Sequence, residues 1–420
     1  MRSTKVRLHH ALAAGLALAV LAAPAAQAAW NGDAQRCAEN GTDDKALIAA
    51  CTRAIDSGAL DTIEKARTYH NRALHRMRSG DLSNAILDLT EAIKLDPRKP
   101  EHYFARGDVS MRRSQFPQAV ADFETALKLD GPSARGNYLL GLAHAGKGDT
   151  DAAIADFSAA LKSAPREVTI LGARAAAYAT KRDWDRALAD YTLAISIAPK
   201  DAALYERRGE VWRITNDLRR ARTDFDTAIR LKPDNDSAYI QRALVAVGRH
   251  AYADALTDLD KAVRLNPKSP AATSIRGITR FYAGRYRDAE ADLAASVVAA
   301  PKNAYSVLWL YLARLHQGKN QAAALRAQSK ELNLASFPGP IVRFYLGEAT
   351  ADDVMAATRR GTAQRQREQL CEASFYLGEE LLLSGNRDEA VRLFRQSIGT
   401  GLTYFFEYQG AAVAMQRLGL

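Results

Sequence analysis

The chain has 420 residues, 47% hydrophobic and 25% charged, with 26 Gly and 13 Pro, a globular balance that excludes a disordered or collagen-like polypeptide. Its formal charge of +10 arises from 58 basic and 48 acidic residues. These alternate along the sequence rather than massing in a stripe with aromatics, which argues against nucleic-acid binding.

Residues 1–28 have the three-part layout of a secretory leader. Arg2, Lys5 and Arg7 open it, an apolar run of 13 residues spans 11–23, and Ala26-Gln27-Ala28 offers a cleavage site before Ala29. That run is shorter than the ~20 residues a bilayer span needs. No later stretch is long and apolar enough either, so no stable membrane insertion is expected. The leader has no Arg-Arg pair, which favours export in the unfolded state. A lipid anchor would need cysteine where Ala29 and Trp30 stand, so the expected location is periplasmic and unanchored. Losing the leader's basic residues lowers the charge to +7, a value that serves solubility or attracts anionic cell-wall polymer.

Residues 29–65 are expected to form an N-terminal helical cap. A Cys37–Cys51 disulfide would clip residues 32–39 against 44–57 and contribute roughly 2–3 kcal/mol; two buried thiols are the alternative. Cys371 begins an apolar helix and reads as a small core residue.

From residue 66 to 303 the sequence repeats. Pro97, Pro165, Pro199, Pro233, Pro267 and Pro301 fall on a 34-residue grid, with Gly131-Pro132 filling the gap. Ala85, Ala119, Ala153, Ala187, Ala221, Ala255 and Ala289 keep the same register. Leu89, Phe123, Phe157, Tyr191, Phe225, Leu259 and Leu293 follow four residues later, and an upstream column runs Ala73, Gly107, Gly141, Ala175, Gly209, Ala243, Gly277. Gly80-Asp81, Gly148-Asp149 and Asn216-Asp217 mark turns with a capping acid.

This pattern resembles the tetratricopeptide repeat, in seven copies, with residues 202–235 the best match through Tyr205, Gly209, Trp212, Ala221, Phe225, Ala228 and Pro233. The resemblance implies an all-α, right-handed superhelical solenoid of antiparallel helix pairs with capping helices at both ends, serving as a scaffold for polypeptides. Arg72, Arg106, Arg174, Arg208, Arg242 and Arg276, with Leu140 as the exception, recur alongside Asp88, Asp122, Asp156, Asp190, Asp224, Asp258 and Asp292. An Arg–Asp ladder between helices is the expected result.

Beyond residue 303 the register weakens. Residues 304–370 read as a degenerate helical repeat and connector, with 361–368 polar. Residues 371–420 read as a further helix pair and a capping helix whose apolar face carries Tyr404, Tyr408, Ala411, Ala412, Met415 and Leu418. Residues 341–348, Phe375 to Gly378 and Tyr404 to Glu407 resemble the closing segment of NlpI-type periplasmic tetratricopeptide proteins. Members of that family act as adaptors, docking envelope proteases and peptidoglycan hydrolases, and can form homodimers.

No metal-binding spacing, phosphate loop or nucleophile elbow occurs, so neither an enzyme nor a cofactor is expected. In the repeat architecture the first helix of each pair lines the concave surface, placing His70, Phe104, Tyr138, Glu206, Arg213, Ile240 and Phe281 in the expected groove for a protein or peptide partner. The two competing readings are an anionic-polymer binder and a hydrolase hidden in residues 304–369.

Overall fold

In the computed structural model, which describes residues 32–319 and 321–420, every regular element is a helix. The expected leader lies outside the described residues. A short helix, α1 (32–37), precedes α2 (Asp44–Asp56). Pairs follow: α3 (Thr62–Arg78) with α4 (Leu82–Leu95), α5 (Pro100–Arg112) with α6 (Phe116–Asp130), and α7 (Ala134–Lys147) with α8 (Thr150–Ser163). Helix α9 (Val168–Thr180) packs on α8, and a first compact unit ends at Asp183.

The second unit begins with α10 (Trp184–Ile197). It continues with α11 (Ala202–Ile214) and α12 (Leu218–Leu231), α13 (Asp236–Gly248) and α14 (Tyr252–Leu265), and α15 (Pro270–Tyr282) and α16 (Tyr286–Ala299). Less regular helices come next: α17 (Ala304–Leu315), α18 (Ala322–Ser329), α19 (Gly339–Tyr345) and α20 (Ala351–Ala357). A last pair, α21 (Ala363–Leu383) and α22 (Arg387–Gly399), leads to α23 (Phe406–Arg417). Among the described residues no helix is long and apolar enough to cross a membrane. Cys37 and Cys51 form the expected disulfide, with their Cα atoms 4.8 Å apart. His75 lies beside it, its Nε2 2.8 Å from the Cys37 carbonyl oxygen.

The periodic columns have local causes. Each grid proline stands just past a second helix, where its missing N–H and fixed φ end the helical ladder. Between paired helices Gly80, Ser114, Gly148, Arg182, Asn216, His250, Gly284 and Gly318 all have φ between 56° and 93°. Glycine adopts that conformation freely, whereas Ser114, Arg182 and His250 pay roughly 1 kcal/mol each for it. Asp81 and Asp217 cap the next helix by accepting from the backbone N–H of Asn84 and Arg220. Asp149 instead takes a hydrogen bond from Lys147 Nζ at 2.7 Å.

The small-residue column lies against the plug residue of the paired helix. A Cβ on Gly107 would sit 2.5 Å from the Phe123 ring, and one on Gly141 would sit 2.6 Å from Phe157. Where the facing residue is the slimmer Leu89 or Leu259, alanine is accommodated at 73 and 243.

The Arg–Asp ladder is present. Arg72 donates through Nε and Nη2 to Asp88 at 2.9 and 2.7 Å. Arg106–Asp122, Arg208–Asp224, Arg242–Asp258 and Arg276–Asp292 repeat this fork. The third arm, Nη1, reaches back to the preceding helix: to Thr52 from Arg72, Thr90 from Arg106, Thr192 from Arg208, Asp226 from Arg242 and Asp260 from Arg276. One guanidinium thus ties three helices, which a planar five-donor group can do and an ammonium cannot. Where Leu140 interrupts the column, His144 Nδ1 takes over Asp156 at 2.7 Å.

Two expectations are corrected in the second unit. The polar stretch 361–368 is not a connector from end to end: Thr362 caps α21, which already runs from Ala363. Its polar residues are an outer face, and Arg367 Nε donates to the Thr400 carbonyl at 2.6 Å. On α23 the buried residues are Glu407, Gln409, Gly410, Ala411, Val413 and Ala414; of the expected face Ala411 is buried, whereas Tyr404, Tyr408, Ala412, Met415 and Leu418 are half-buried. Gly410 sets this rotation, because a Cβ there would stand 2.5 Å from the Phe375 ring.

Candidate functional site: the first-helix faces

In the first unit the first helices are α3, α5 and α7. Their inner columns place His70, Phe104 and Tyr138 half-buried, with Leu74 at 36% exposure beside them. Each ring rests on a deeper one: Phe104 lies 6.2 Å from Phe123, and Tyr138 lies 5.9 Å from Phe157. His70 stands against His102, with Nδ1 atoms 3.0 Å apart. Desolvation, reinforced by the neighbouring His102, pushes His70 down to about 4, so this ring is neutral at ordinary pH. The result is a row of aromatic and apolar groups with open edges, suited to apolar side chains of a polypeptide.

In the second unit the corresponding face carries the chain's own tail. Residues Thr403 to Phe406 line a small cavity together with Arg213 of α11 and Leu244 and Val247 of α13. Tyr282 Oη donates to the Phe406 carbonyl at 2.6 Å. Arg417 donates to the carbonyls of Phe281 and Tyr282 at 2.9 and 2.8 Å, and its guanidinium lies over the Tyr286 ring. Helix α23 covers the α21/α22 pair and also reaches back to α15.

This changes the reading of four expected groove residues. Phe281 is 1% exposed, packed edge-on against Trp309 and His316, and is core rather than groove. Ile240 is also buried. Arg213 faces the tail, its Nε without a hydrogen-bond partner. Glu206 accepts from Asn235 Nδ2 and stays half-buried. Periodicity could place all four on the inner face but could not foresee the segment laid across it.

The three C-terminal motifs converge in the same unit. Tyr345 Oη donates to the Tyr376 carbonyl at 2.7 Å, and Tyr376 Oη donates to Glu407 Oε1 at 3.1 Å. Next to them Tyr305 Oη donates to Glu372 Oε2 at 3.0 Å. The sequence reading missed Glu372 and Glu407. The available signal was a charge at a core position, between Cys371 and Ala373 and after the aromatic run 404–406. Cys371 is buried as expected, and burial pushes its thiol up to about 11, which makes it unreactive.

Desolvation raises both Glu372 and Glu407 above the ordinary carboxylate range, and for Glu372 the charge of Glu407 adds to the effect. A carboxyl whose folded pKa is raised keeps its proton longer in the folded than in the unfolded state. Its contribution is therefore favourable at low pH and is lost as pH rises from the unfolded carboxyl value through the raised one. Glu372→Gln is expected to flatten the fall in stability of the second unit between pH 5 and pH 8, by about 1–3 kcal/mol at the upper end. Denaturant unfolding of both chains at the two pH values measures this difference.

A tetratricopeptide-repeat family model matches residues 70–134, 105–167, 138–202, 215–270 and 275–339, together more than half of the chain. Among solved structures the chain is similar to YrrB, described as a tetratricopeptide-repeat protein with an unusual peptide-binding site, at 22% identity and TM-score 0.39, over 45% of this chain and 95% of that one. It is also similar to a tetratricopeptide repeat protein from Parabacteroides merdae, at 18% identity and TM-score 0.46, over 56% and 92% of the two chains. A third is Pseudomonas aeruginosa pilF, at 15% identity and TM-score 0.43, over 51% and 98%. With the helix pairs, the 34-residue columns and the matched repeats in place, the chain belongs to the tetratricopeptide-repeat family of protein-binding scaffolds.

Proposed function

We propose that this chain is a non-catalytic adaptor, exported to the periplasm, that holds a polypeptide partner on the first-helix face of its first unit. The observation that carries the reading is the row at His70, Phe104 and Tyr138, half-buried with Leu74 36% exposed beside it, an aromatic and apolar face that the same column does not continue in the second unit, where Glu206 and Ser274 are polar and Ile240 is buried. The leader-like residues 1–28 and the Cys37–Cys51 bridge support an oxidising, exported setting. The convergence of the three C-terminal motifs supports an NlpI-type adaptor role, with proteases or peptidoglycan enzymes of the envelope as partners and homodimerisation as a further property. A polymer-binding role draws less support, because the periodic arginines of the ladder already have aspartates and are not free to grip anions.

A photo-crosslinking residue placed at Leu74, on the first-helix face, is expected to trap a defined polypeptide in the native envelope. One placed at Leu87, 61% exposed on the second helix α4, is expected to trap none. Leu74→Glu should reduce capture by a crosslinker at Tyr138 about tenfold, the loss of one apolar anchor, while Leu87→Glu leaves it unchanged. Equal capture from positions 74 and 87 would exclude this face as the binding site.

A further inference from the structure

We propose that a cavity on the first-helix side of the second unit receives the cationic side chain, lysine or arginine, of an extended segment of a partner polypeptide. This assignment rests on the scaffold role proposed above and adds the chemistry of what is bound. The cavity encloses about 770 Å³ between α15, α17, α21 and the start of α23, within the size range of sites that hold a side chain and its flanking residues. Its aromatic wall is Tyr305 and Trp309 of α17 with Phe405 of the tail; its acidic wall is Glu368, Glu372 and Glu407. Helix α15 contributes only an uncharged floor, from Pro270 to Ile278.

Two features together select a cation. Glu372 and Glu407 are only 6% and 4% exposed, yet among the described residues neither has a basic side chain at ion-pair distance. Their partners are the hydroxyls of Tyr305 and Tyr376 and, for Glu407, the Trp309 side chain, neutral donors that stabilise a carboxylate less than a cation would. Burying a carboxylate without a counter-charge is costly, so the pocket gains most from a ligand that brings one. Tryptophan and tyrosine ring faces attract the same ligand through their quadrupoles. Acidic and aromatic walls thus favour one chemistry: an ammonium or guanidinium on an apolar stem.

The groups facing Glu372 are Tyr305 from α17, Glu407 from α23, and Arg365 and Glu368 from its own helix. Burial, and for Glu372 the charge of Glu407, favours the protonated carboxyls, whereas a bound cation favours the ionised ones. Binding should therefore strengthen as pH rises from 5 to 8. Arg365, exposed at the rim, competes weakly for the same charge.

The test is calorimetric titration of the full chain with three capped tripeptides: acetyl-Phe-Lys-Phe-amide, and the same peptide with norleucine or glutamate in place of lysine. The lysyl peptide is expected to bind at least tenfold more tightly than the norleucyl one at pH 8. That preference should shrink at pH 5, disappear in Glu372→Gln, and grow in Arg365→Ala. A merely structural role for either residue would not move the lysine-over-norleucine ratio in opposite directions. Equal binding of the norleucyl peptide, preference for the glutamyl peptide, or an unchanged ratio in Glu372→Gln would overturn the proposal. Butylammonium binding as tightly as the lysyl peptide would make this a small-amine pocket and overturn the polypeptide assignment. If the lysyl peptide fails while the Leu74 crosslinker still traps a partner, the pocket assignment falls and the scaffold role stands. If the peptide binds with the expected ratios and the crosslinker traps nothing, the pocket stands and the first-unit face is excluded.

Discussion

Asp88→Ala is expected to destabilise the first unit by about 3–5 kcal/mol, the range for removing one member of a buried ion pair. Asp88 is 3% exposed and accepts from two arginines: the Arg72 fork and Arg76 Nη1 at 2.6 Å. Their side chains are only 12% and 18% exposed, so the substitution strands two poorly solvated cations beside each other. The surface cap Asp149→Ala should cost under about 1 kcal/mol, since its side chain makes no cap hydrogen bond and its partner Lys147 is exposed. Because repeat arrays open locally, amide hydrogen exchange in α3 to α5 is the appropriate readout. Adding Arg72→Met to Asp88→Ala should recover part of the loss, because it removes one stranded charge. A loss below 1 kcal/mol in the single variant would show that the ladder does not hold the helices together.

The second large effect concerns the C-terminal pair. Phe375 is fully buried, 5.2 Å from Trp309 and 6.5 Å from Phe394 between ring centroids, and Gly410 of α23 rests on its ring. Phe375→Ala is expected to cost about 3–5 kcal/mol through the cavity it leaves. It also removes the surface on which Gly410 sets the rotation of α23, so the tail should loosen from α15. Faster amide exchange in 403–417 than in α11 and α12 of the same variant would reveal this. Uniform exchange across the unit would mean that α23 and the repeats open together.

Much of the fold is legible in the sequence because a repeated unit reports its own constraints many times over. The Gly107 column must be tiny because the paired helix brings its plug residue within contact distance, a ring at Gly107 and Gly141 and Leu293 at Gly277, and the Arg72 and Asp88 columns recur because they form a fork in repeat after repeat. The positive-φ column was readable at Gly80, Gly148 and Asn216 but hidden at Ser114, Arg182 and His250, where ordinary residues accept the strained conformation. The groove was legible only as a face. Whether that face is open depends on contacts such as Tyr282 to Phe406, 124 residues apart, which no local periodicity encodes. For the same reason Glu372 and Glu407, on different helices, showed no spacing that would pair them. Phe281, which shares a column with the half-buried Met111, was indistinguishable from a groove residue until Trp309 and His316 enclosed it.

Leu140 leaves one rung out of an otherwise tied stack. Arg72, Arg106, Arg208, Arg242 and Arg276 each fasten their own pair and also the helix before it, and Arg174 reaches back to Ser158. His144 grips Asp156 through Nδ1 alone, without the bidentate fork of a guanidinium, and the carboxylate there is 19% exposed against 3% at Asp88 and Asp122. The α6–α7 seam is therefore held by apolar packing, Leu140 and Ala143 against Ala119 and Phe123, so raising the salt concentration should loosen it less than the guanidinium-tied seams on either side.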